Sequence, residues 1–525
     1  MNSKKITLWC LLLGVTYTSQ AQNIDEGLLF SQYEQGATAR FKAMGNAQTA
    51  LGGDLSSISG NPAGLGFFNN SDIGITLDYF GDRNKATYFG SQTNANYDRV
   101  GLNQLGIVFN LPNMRARGSN LETGWLNFNV GIGYNKTNSF YSKLNYQGNN
   151  TESSVADMMG IEAYDANSIF GDFGLESGLV DFAGSGANTT YYPMTVPDNT
   201  QRVFNQTRGS QSETNISFGA NYSNKLYLGA SVGISTMDYR TNHVYQEDGY
   251  LIDAATLTDF RNQLGVGTAG SRFLDPTHPQ YQNYNKYLNT DYQYDYENWT
   301  ETRGTGVNVK LGVIYRPTDI IRIGVSATTP TWYNMSSDFS DFFEVRNYEA
   351  NSTTPVGDPL TYPEDPYTYD YNFRSPYRLN GGIAAVLSKG LISADIEFID
   401  YASMKITTDD NALDMQYADD ISATYQGAVN LKVGAEYMIT PQFMIRGGYN
   451  HSGNPYKNLD YSAQTISGGL GYRIGNYYID ATYQNWRQKY DTFPYSLPAD
   501  YEVSTPIANV TNTRNNVFLT FGAKF

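Results

Sequence analysis

Residues Ala428–Tyr437 read AVNLKVGAEY. Val429, Leu431, Val433, Ala435 and Tyr437 share one face of an extended chain, and Asn430, Lys432, Gly434 and Glu436 share the other, because successive side chains of a strand point to opposite sides. The same alternation returns in Leu226–Ile234 and Val307–Tyr315, and in Ile392–Phe398, where Asp395 and Glu397 stand opposite Ile392, Ala394, Ile396 and Phe398. A half-buried sheet of a water-soluble protein alternates in the same way. The decision therefore rests on the number of such segments and on how they are joined.

About fourteen candidate strands can be marked, near 72–82, 97–110, 124–147, 209–222, 226–245, 301–316, 320–334, 373–387, 391–407, 423–438, 442–452, 461–474, 477–490 and 513–525. Tight connections sit at Ser223-Asn224-Lys225, Pro317-Thr318-Asp319, Ser388-Lys389-Gly390, Thr440-Pro441 and Gly475-Asn476, and long ones at 148–208, 246–300, 335–372 and 491–512. Short turns at one end and long loops at the other mark an outer-membrane barrel. In the final segment, Val517–Phe525 (VFLTFGAKF), Val517, Leu519, Phe521, Ala523 and Phe525 share a face. An alternating terminal strand ending on Phe525 is the form that outer-membrane assembly machinery recognises. The expected fold is all-β: a transmembrane antiparallel barrel of about fourteen strands over 72–525.

Composition agrees. The chain of 525 residues carries 44 Tyr and 51 Gly, yet its mean hydropathy is only −0.46. After residue 21 no run of about 18 apolar residues offers a spanning helix, and a barrel strand needs only every second residue apolar. Residues 1–21 read as a signal peptide: Lys4 and Lys5, then apolar Ile6–Val15, then Ser19-Gln20-Ala21. The sole cysteine, Cys10, lies inside it, so no disulfide or cysteine metal site is expected beyond it. A net charge of −16 argues against nucleic acid, which calls for clustered Lys and Arg. Only His243, His278 and His451 are present and no G-x-S-x-G elbow occurs, so neither catalysis, cofactor nor metal is expected. The Tyr-rich run Tyr281–Trp299 reads as an exposed loop feeding an aromatic girdle.

Residues 22–71 precede the first strand and are too apolar to dangle in water, with Leu28, Phe30, Phe41, Met44, Leu65, Phe67 and Phe68 among them. A barrel of this size has a lumen able to hold them. Within this segment Ala43-Met44-Gly45-Asn46-Ala47 and Asn61-Pro62-Ala63-Gly64-Leu65 resemble the N-terminal hatch of the long-chain fatty acid transporter family (FadL/TodX-like). Ser375-Pro376-Tyr377-Arg378-Leu379, Gly390–Tyr401 and Arg446-Gly447-Gly448-Tyr449 are similar to that family's later strands. Asn46, where the family commonly has a second glycine, is a departure.

The resemblance implies a luminal plug with Asn61-Pro62-Ala63 as its rigid elbow and the seven apolar residues above as the candidate substrate path. It also implies an outer-membrane transporter, in a Gram-negative bacterium, for hydrophobic or amphipathic fatty-acid-like compounds. A carboxylate head group would need a cation; by strand parity Lys310, Arg322, Arg378, Lys432 and Arg446 face the lumen, with Asp395, Glu397, Glu436 and Asp480 available to pair with them. Expected partners are hydrophobic small molecules, outer-membrane lipid and lipopolysaccharide, the assembly machinery and other outer-membrane proteins. The alternative is a non-transporting FadL-fold subunit of a secretion or assembly complex. Replacing Phe525 with Ser is expected to lower the yield of assembled barrel, read as the amount recovered in outer-membrane fractions; an unchanged amount contradicts the terminal-signal reading.

Overall fold

The computed structural model describes residues 18–34, 36–113, 122–363, 366–459, 461–498 and 501–525. Most of the expected signal peptide (residues 1–17) lies outside the described residues.

The sheet closes on itself as fourteen antiparallel strands. They are β1 (Asp72–Tyr88), β2 (Ser91–Pro112), β3 (Trp125–Ser139, continued by Ser142–Asn150), β4 (Thr195–Tyr222), β5 (Leu226–Leu251), β6 (Thr290–Tyr315) and β7 (Ile321–Thr328 with Trp332–Glu349). Then follow β8 (Tyr367–Arg374 with Arg378–Leu387), β9 (Gly390–Asp400 with Lys405–Thr407), β10 (Gly427–Met438), β11 (Phe443–Ser452), β12 (Ser462–Ile474), β13 (Tyr477–Thr492) and β14 (Ala508–Lys524). Each pairs with the next, and β14 pairs with β1 from Asp72↔Lys524 to Thr87↔Asn509. Closure removes the sheet edges, which in lipid would expose unsatisfied N–H and C=O groups.

The lipid-facing band is the exposed apolar face of the alternation: Ile73 and Leu77 on β1, Val307, Val309, Leu311 and Val313 on β6, Val429, Leu431 and Val433 on β10. Several strands continue far beyond this band. The segments expected as loops at 148–208, 246–300 and 335–372 are strand at both ends, leaving the connections 151–194, 252–289 and 350–366. Of the Tyr-rich run Tyr281–Trp299, the second half belongs to β6, with Tyr292 and Tyr294 buried inward rather than displayed on a loop. Alternating Tyr, Asp and Asn read as loop because acid and amide are depleted in ordinary strands, but an aqueous extension of a barrel solvates its outer face and packs only the inner one.

Pairing is interrupted where the wall bends. The ladder of β2 with β3 stops at Gln104↔Asn135; beyond it the continuation Ser142–Asn150 pairs with β4 alone and leans onto β1, where Asn84 Nδ2 donates to the Lys143 carbonyl at 2.8 Å. Backbone pairing is thus lost along this seam. Side chains cross it instead: the Arg99 guanidinium lies 4.0 Å over the Tyr141 ring, and Tyr97 packs on Tyr141 at 5.4 Å.

The described residues between Ile24 and Ser71 fill the lumen. Their backbone is mostly irregular, and polar side chains on the inner wall satisfy it. Asn103 donates to the Ala37 carbonyl (2.7 Å), Gln484 to Lys42 (2.7 Å), Ser467 to Ala43 (2.9 Å), Ser217 to Ile58 (2.7 Å) and Asn129 to Leu65 (2.6 Å). Asp395 accepts from the backbone N–H groups of Gln48 and Thr49 at 2.7 and 2.8 Å. Where the two backbones meet, the wall carries glycine: a Cβ on Gly229 would strike Pro62 and Ala63, and one on Gly312 would strike Asn61. Gly312→Val is therefore expected to displace the elbow while leaving the barrel closed. Proteolysis inside residues 30–70 should accelerate with the heat-modifiable gel shift retained; loss of both together would show that the segment is part of the folding core.

Candidate functional site

The lumen is stratified. At its outer end the connections fold into a roof whose core includes Val155, Met159, Phe173, Tyr245, Tyr292, Tyr294 and Tyr495. Its hub is the Glu247 carboxylate, fully buried. It accepts from the Val155 backbone N–H at 3.0 Å, where the helix Val155–Glu162 begins, from Gln201 at 2.9 Å, from the Tyr292 hydroxyl at 2.6 Å and from the Tyr245 hydroxyl. Asp157 closes the capping box of that helix and accepts from the Tyr501 hydroxyl at 3.0 Å, tying the connection after β13 to the one after β3. Burial pushes the Asp157 carboxyl above its ordinary range, against the pull of these hydrogen bonds.

Beneath the roof is a chamber lined by Met237, Tyr239, Tyr333, Met335, Tyr371, Phe373 and Tyr401. The part of helix α1 (Thr18–Ser31) from Ile24 onward occupies it, with Ile24, Leu28 and Phe30 buried against the rings. Phe30 meets Phe140 and Tyr239 edge-on at 5.8 and 5.5 Å. The chamber floor is polar. A cavity of about 30 Å³, room for one or two waters, is lined by Phe30, Tyr33, Glu213, Lys310, Tyr333, Arg378 and Glu397, among others.

Parity placed the luminal charges inward, and the structure separates them by partner. Lys310 pairs with Glu213, an acid that the alternation reading passed over because it lies in a Ser/Gln/Thr-rich stretch. Lys432 pairs with Glu397 at 2.9 Å, and Arg446 with Glu436 and Asp480 at 2.6 and 2.5 Å. Arg40 of the N-terminal segment joins Glu436 at 2.9 Å. Asp395 holds backbone rather than a cation. Arg322 and Arg378 differ: neither forms an ion pair with a described carboxylate. Arg322 stacks on Phe67 at 4.5 Å. Arg378 lies 4.3 Å over the Tyr33 ring, donates to the Ser31 carbonyl at 2.8 Å, and its buried Nε is without a hydrogen-bond partner.

At the inner end, Asn61 is extended (φ −93°, ψ 105°) ahead of a 3-10 turn at Pro62–Phe67, accepts from the Ala63 N–H at 3.1 Å and donates to the Thr49 carbonyl at 2.7 Å. Pro62 enforces this by disfavouring helical backbone before it. Gly45 and Asn46 both adopt φ of 62°, a left-handed pair that Asn tolerates better than other non-glycine residues. The seven apolar residues lie in separate clusters. Leu28 and Phe30 are in the chamber, Phe41 and Met44 lie against Ala384 and Leu391, Leu65 and Phe68 lie against Ile58 and Val108, and Phe67 is stacked on Tyr227 at 3.7 Å. The chamber aromatics were missed because they lie where the strands outrun the apolar band; following the inward parity from Met237 to Tyr239 would have found them.

No protein-family model matches the chain, and no curated protein matches it by sequence. Among solved structures, the TodX monoaromatic hydrocarbon channel deltaS2 mutant is similar with a TM-score of 0.51 at 14% identity, over 94% of this chain and 99% of that one. A FadL homologue of Pseudomonas aeruginosa (TM-score 0.49, 13% identity, 94% and 98% covered) and the Ralstonia pickettii toluene transporter TbuX (0.47, 17%, 94% and 99%) are also similar. The likeness is one of fold: a FadL-type outer-membrane β-barrel.

Glu247→Leu strands four donors in the roof, each costing about 1–3 kcal/mol when buried without a partner. Proteolysis within residues 151–194 is expected to accelerate sharply while the barrel stays heat-modifiable; unchanged cleavage would show that the roof does not hang on this carboxylate.

Proposed function

We propose that this barrel carries an amphipathic molecule, an apolar tail with an anionic head such as a long-chain fatty acid, across the outer membrane. The observation that carries the reading is Arg378. It is the chamber-floor cation without an ion-paired carboxylate among the described residues, and it shares one cavity with Phe30 and Tyr333. A carboxylate replacing the Ser31 carbonyl on Arg378 would gain a charge-assisted hydrogen bond, while its tail would take the volume now filled by Leu28 and Phe30. The tail gains because leaving water for an apolar chamber is favourable.

In this reading Ile24–Ser31 and the solute compete for one place, so loading requires α1 to withdraw. Asn61-Pro62-Ala63 anchors the rest of the segment as a plug, and Leu65, Phe67 and Phe68 lie beside its periplasmic end. The β2–β3 seam, held by Arg99 and Tyr141 rather than by backbone pairing, supports an exit through the wall. Lys310, Lys432 and Arg446 serve to hold the wall and plug, their charge being matched by Glu213, Glu397, Glu436 and Asp480.

The test is native mass spectrometry and oleate titration of the purified barrel in a non-ionic detergent. Wild type should retain or bind oleate, and Arg378→Gln should bind it roughly tenfold more weakly, the scale of one lost charge-assisted hydrogen bond, while binding of dodecane is unchanged. Equal oleate affinity in both proteins removes the head-group role of Arg378, and no binding of either ligand by wild type overturns the transport reading.

A further inference from the structure

The outer surface holds a second feature. On the upper part of the wall, Trp332 of β7, Arg374 of β8 and Lys405 of β9 stand in one cross-strand row, Trp332↔Arg374↔Lys405. All three are exposed and point away from the lumen, since the flanking Tyr333, Phe373 and Ile406 are buried inside. Two like charges directly opposite one another weaken a β ladder. Arg374 donates to the Ser403 carbonyl at 3.1 Å, and among the described residues neither cation forms an ion pair.

The surroundings say what anion fits. Val307 extends the row on the other side of Trp332, and below it the wall is apolar and exposed: Val325, Leu379, Ile383 and Ile396. This is the top of the lipid band, with Trp332 in the position of an interfacial aromatic. Above the row the outer wall is dented into a groove of about 700 Å³, bordered by Thr305, Asn334, Asn372 and Thr407, by the charged Arg303, Asp370 and Asp409, and by Met237, Met335 and Tyr371. Hydroxyls and amides that can meet sugar hydroxyls recur along that border beside the Asp370 and Asp409 carboxylates, with Arg303 already engaged by Glu301 and Asp338.

From bottom to top the surface therefore presents acyl-chain contacts, two cations, and a concavity edged by hydroxyl, amide and carboxylate groups. We infer that Arg374 and Lys405 bind a phosphate of an outer-leaflet glycolipid of the lipid A type. Its acyl chains lie along Leu379 and Ile396, and its sugars face the groove. A phospholipid phosphate would satisfy the cations but leave the groove unused, which is the reason for choosing the glycolipid. This rests on the reading of the chain as an outer-membrane protein.

The experiment uses the full barrel reconstituted in phosphatidylcholine nanodiscs. Each sample is doped with diphosphoryl lipid A, dephosphorylated lipid A or phosphatidylglycerol, and bound lipid is counted by native mass spectrometry. Wild type should retain diphosphoryl lipid A in preference to both others. Arg374→Gln with Lys405→Gln should reduce that retention roughly tenfold, as expected for losing charge-assisted contacts to a phosphate, with Lys405→Glu acting in the same direction. Equal retention of phosphatidylglycerol, or no change in the double variant, overturns the glycolipid site while leaving the barrel reading intact. Failure of the protein to enter nanodiscs at all overturns both.

Discussion

The constraint on which this structure depends is that peptide groups removed from water must find partners. Strands solve it with each other. The N-terminal segment beyond α1, mostly neither helix nor strand, cannot. Its carbonyls are met one by one by Asn103, Asn129, Ser217, Ser467 and Gln484 on the inner wall, and its N–H groups by Asp395 and Thr520. The polar face of the alternation is therefore a docking surface matched to one particular chain path, beyond its role in making a lumen polar. Lys310 shows both duties at once, bonding the Ser59 carbonyl at 3.0 Å while neutralising Glu213.

Much of the fold was legible because membrane and lumen impose opposite chemistry on successive residues. In β10, Val429, Leu431 and Val433 face lipid and Lys432 and Glu436 face inward, so register and side follow from the residues themselves. That pattern weakens above the membrane. Over Thr290–Trp299 water replaces lipid outside, Asp and Asn become acceptable on both faces, and strand reads as loop. The site was legible in parts for the same reason. Parity located Arg378 and its fellows, whereas ion-pair partners depend on cross-strand register and diagonal reach. Glu213 lies across the wall from Lys310 and nothing local links them. The glycines opposite the elbow are a further legible signal, since Gly229 and Gly312 sit on the inward face where a barrel strand would otherwise carry a polar side chain.

The lumen combines rigid and exchangeable contacts in different places. The elbow at Asn61-Pro62-Ala63 is fixed by steric fit against bare backbone. Helix α1 is held by apolar contacts with Tyr239, Tyr333 and Phe373 and by a few hydrogen bonds, among them Asn138 to the Leu29 and Gln32 carbonyls and Arg378 to Ser31. Apolar contacts are non-directional, so another apolar body can replace them, while a backbone wedged against glycine cannot slide. The roof resembles the elbow in this respect, because the Glu247 carboxylate draws together groups distant in sequence through directional bonds.

The pairing of β1 with β14 has a consequence for how the molecule is made. The ring is complete only when the Asp72↔Lys524 end of the chain has returned to its beginning, and the Phe525 N–H reaches the Ser71 carbonyl at 2.9 Å. Contacts so distant in sequence form slowly. The occupant of the lumen lies immediately before β1, and its hydrogen bonds run to β2, β3, β4, β6, β9, β12, β13 and β14. Its partners therefore lie on both sides of the β1–β14 seam, so the segment ties together parts of the wall that only closure brings side by side.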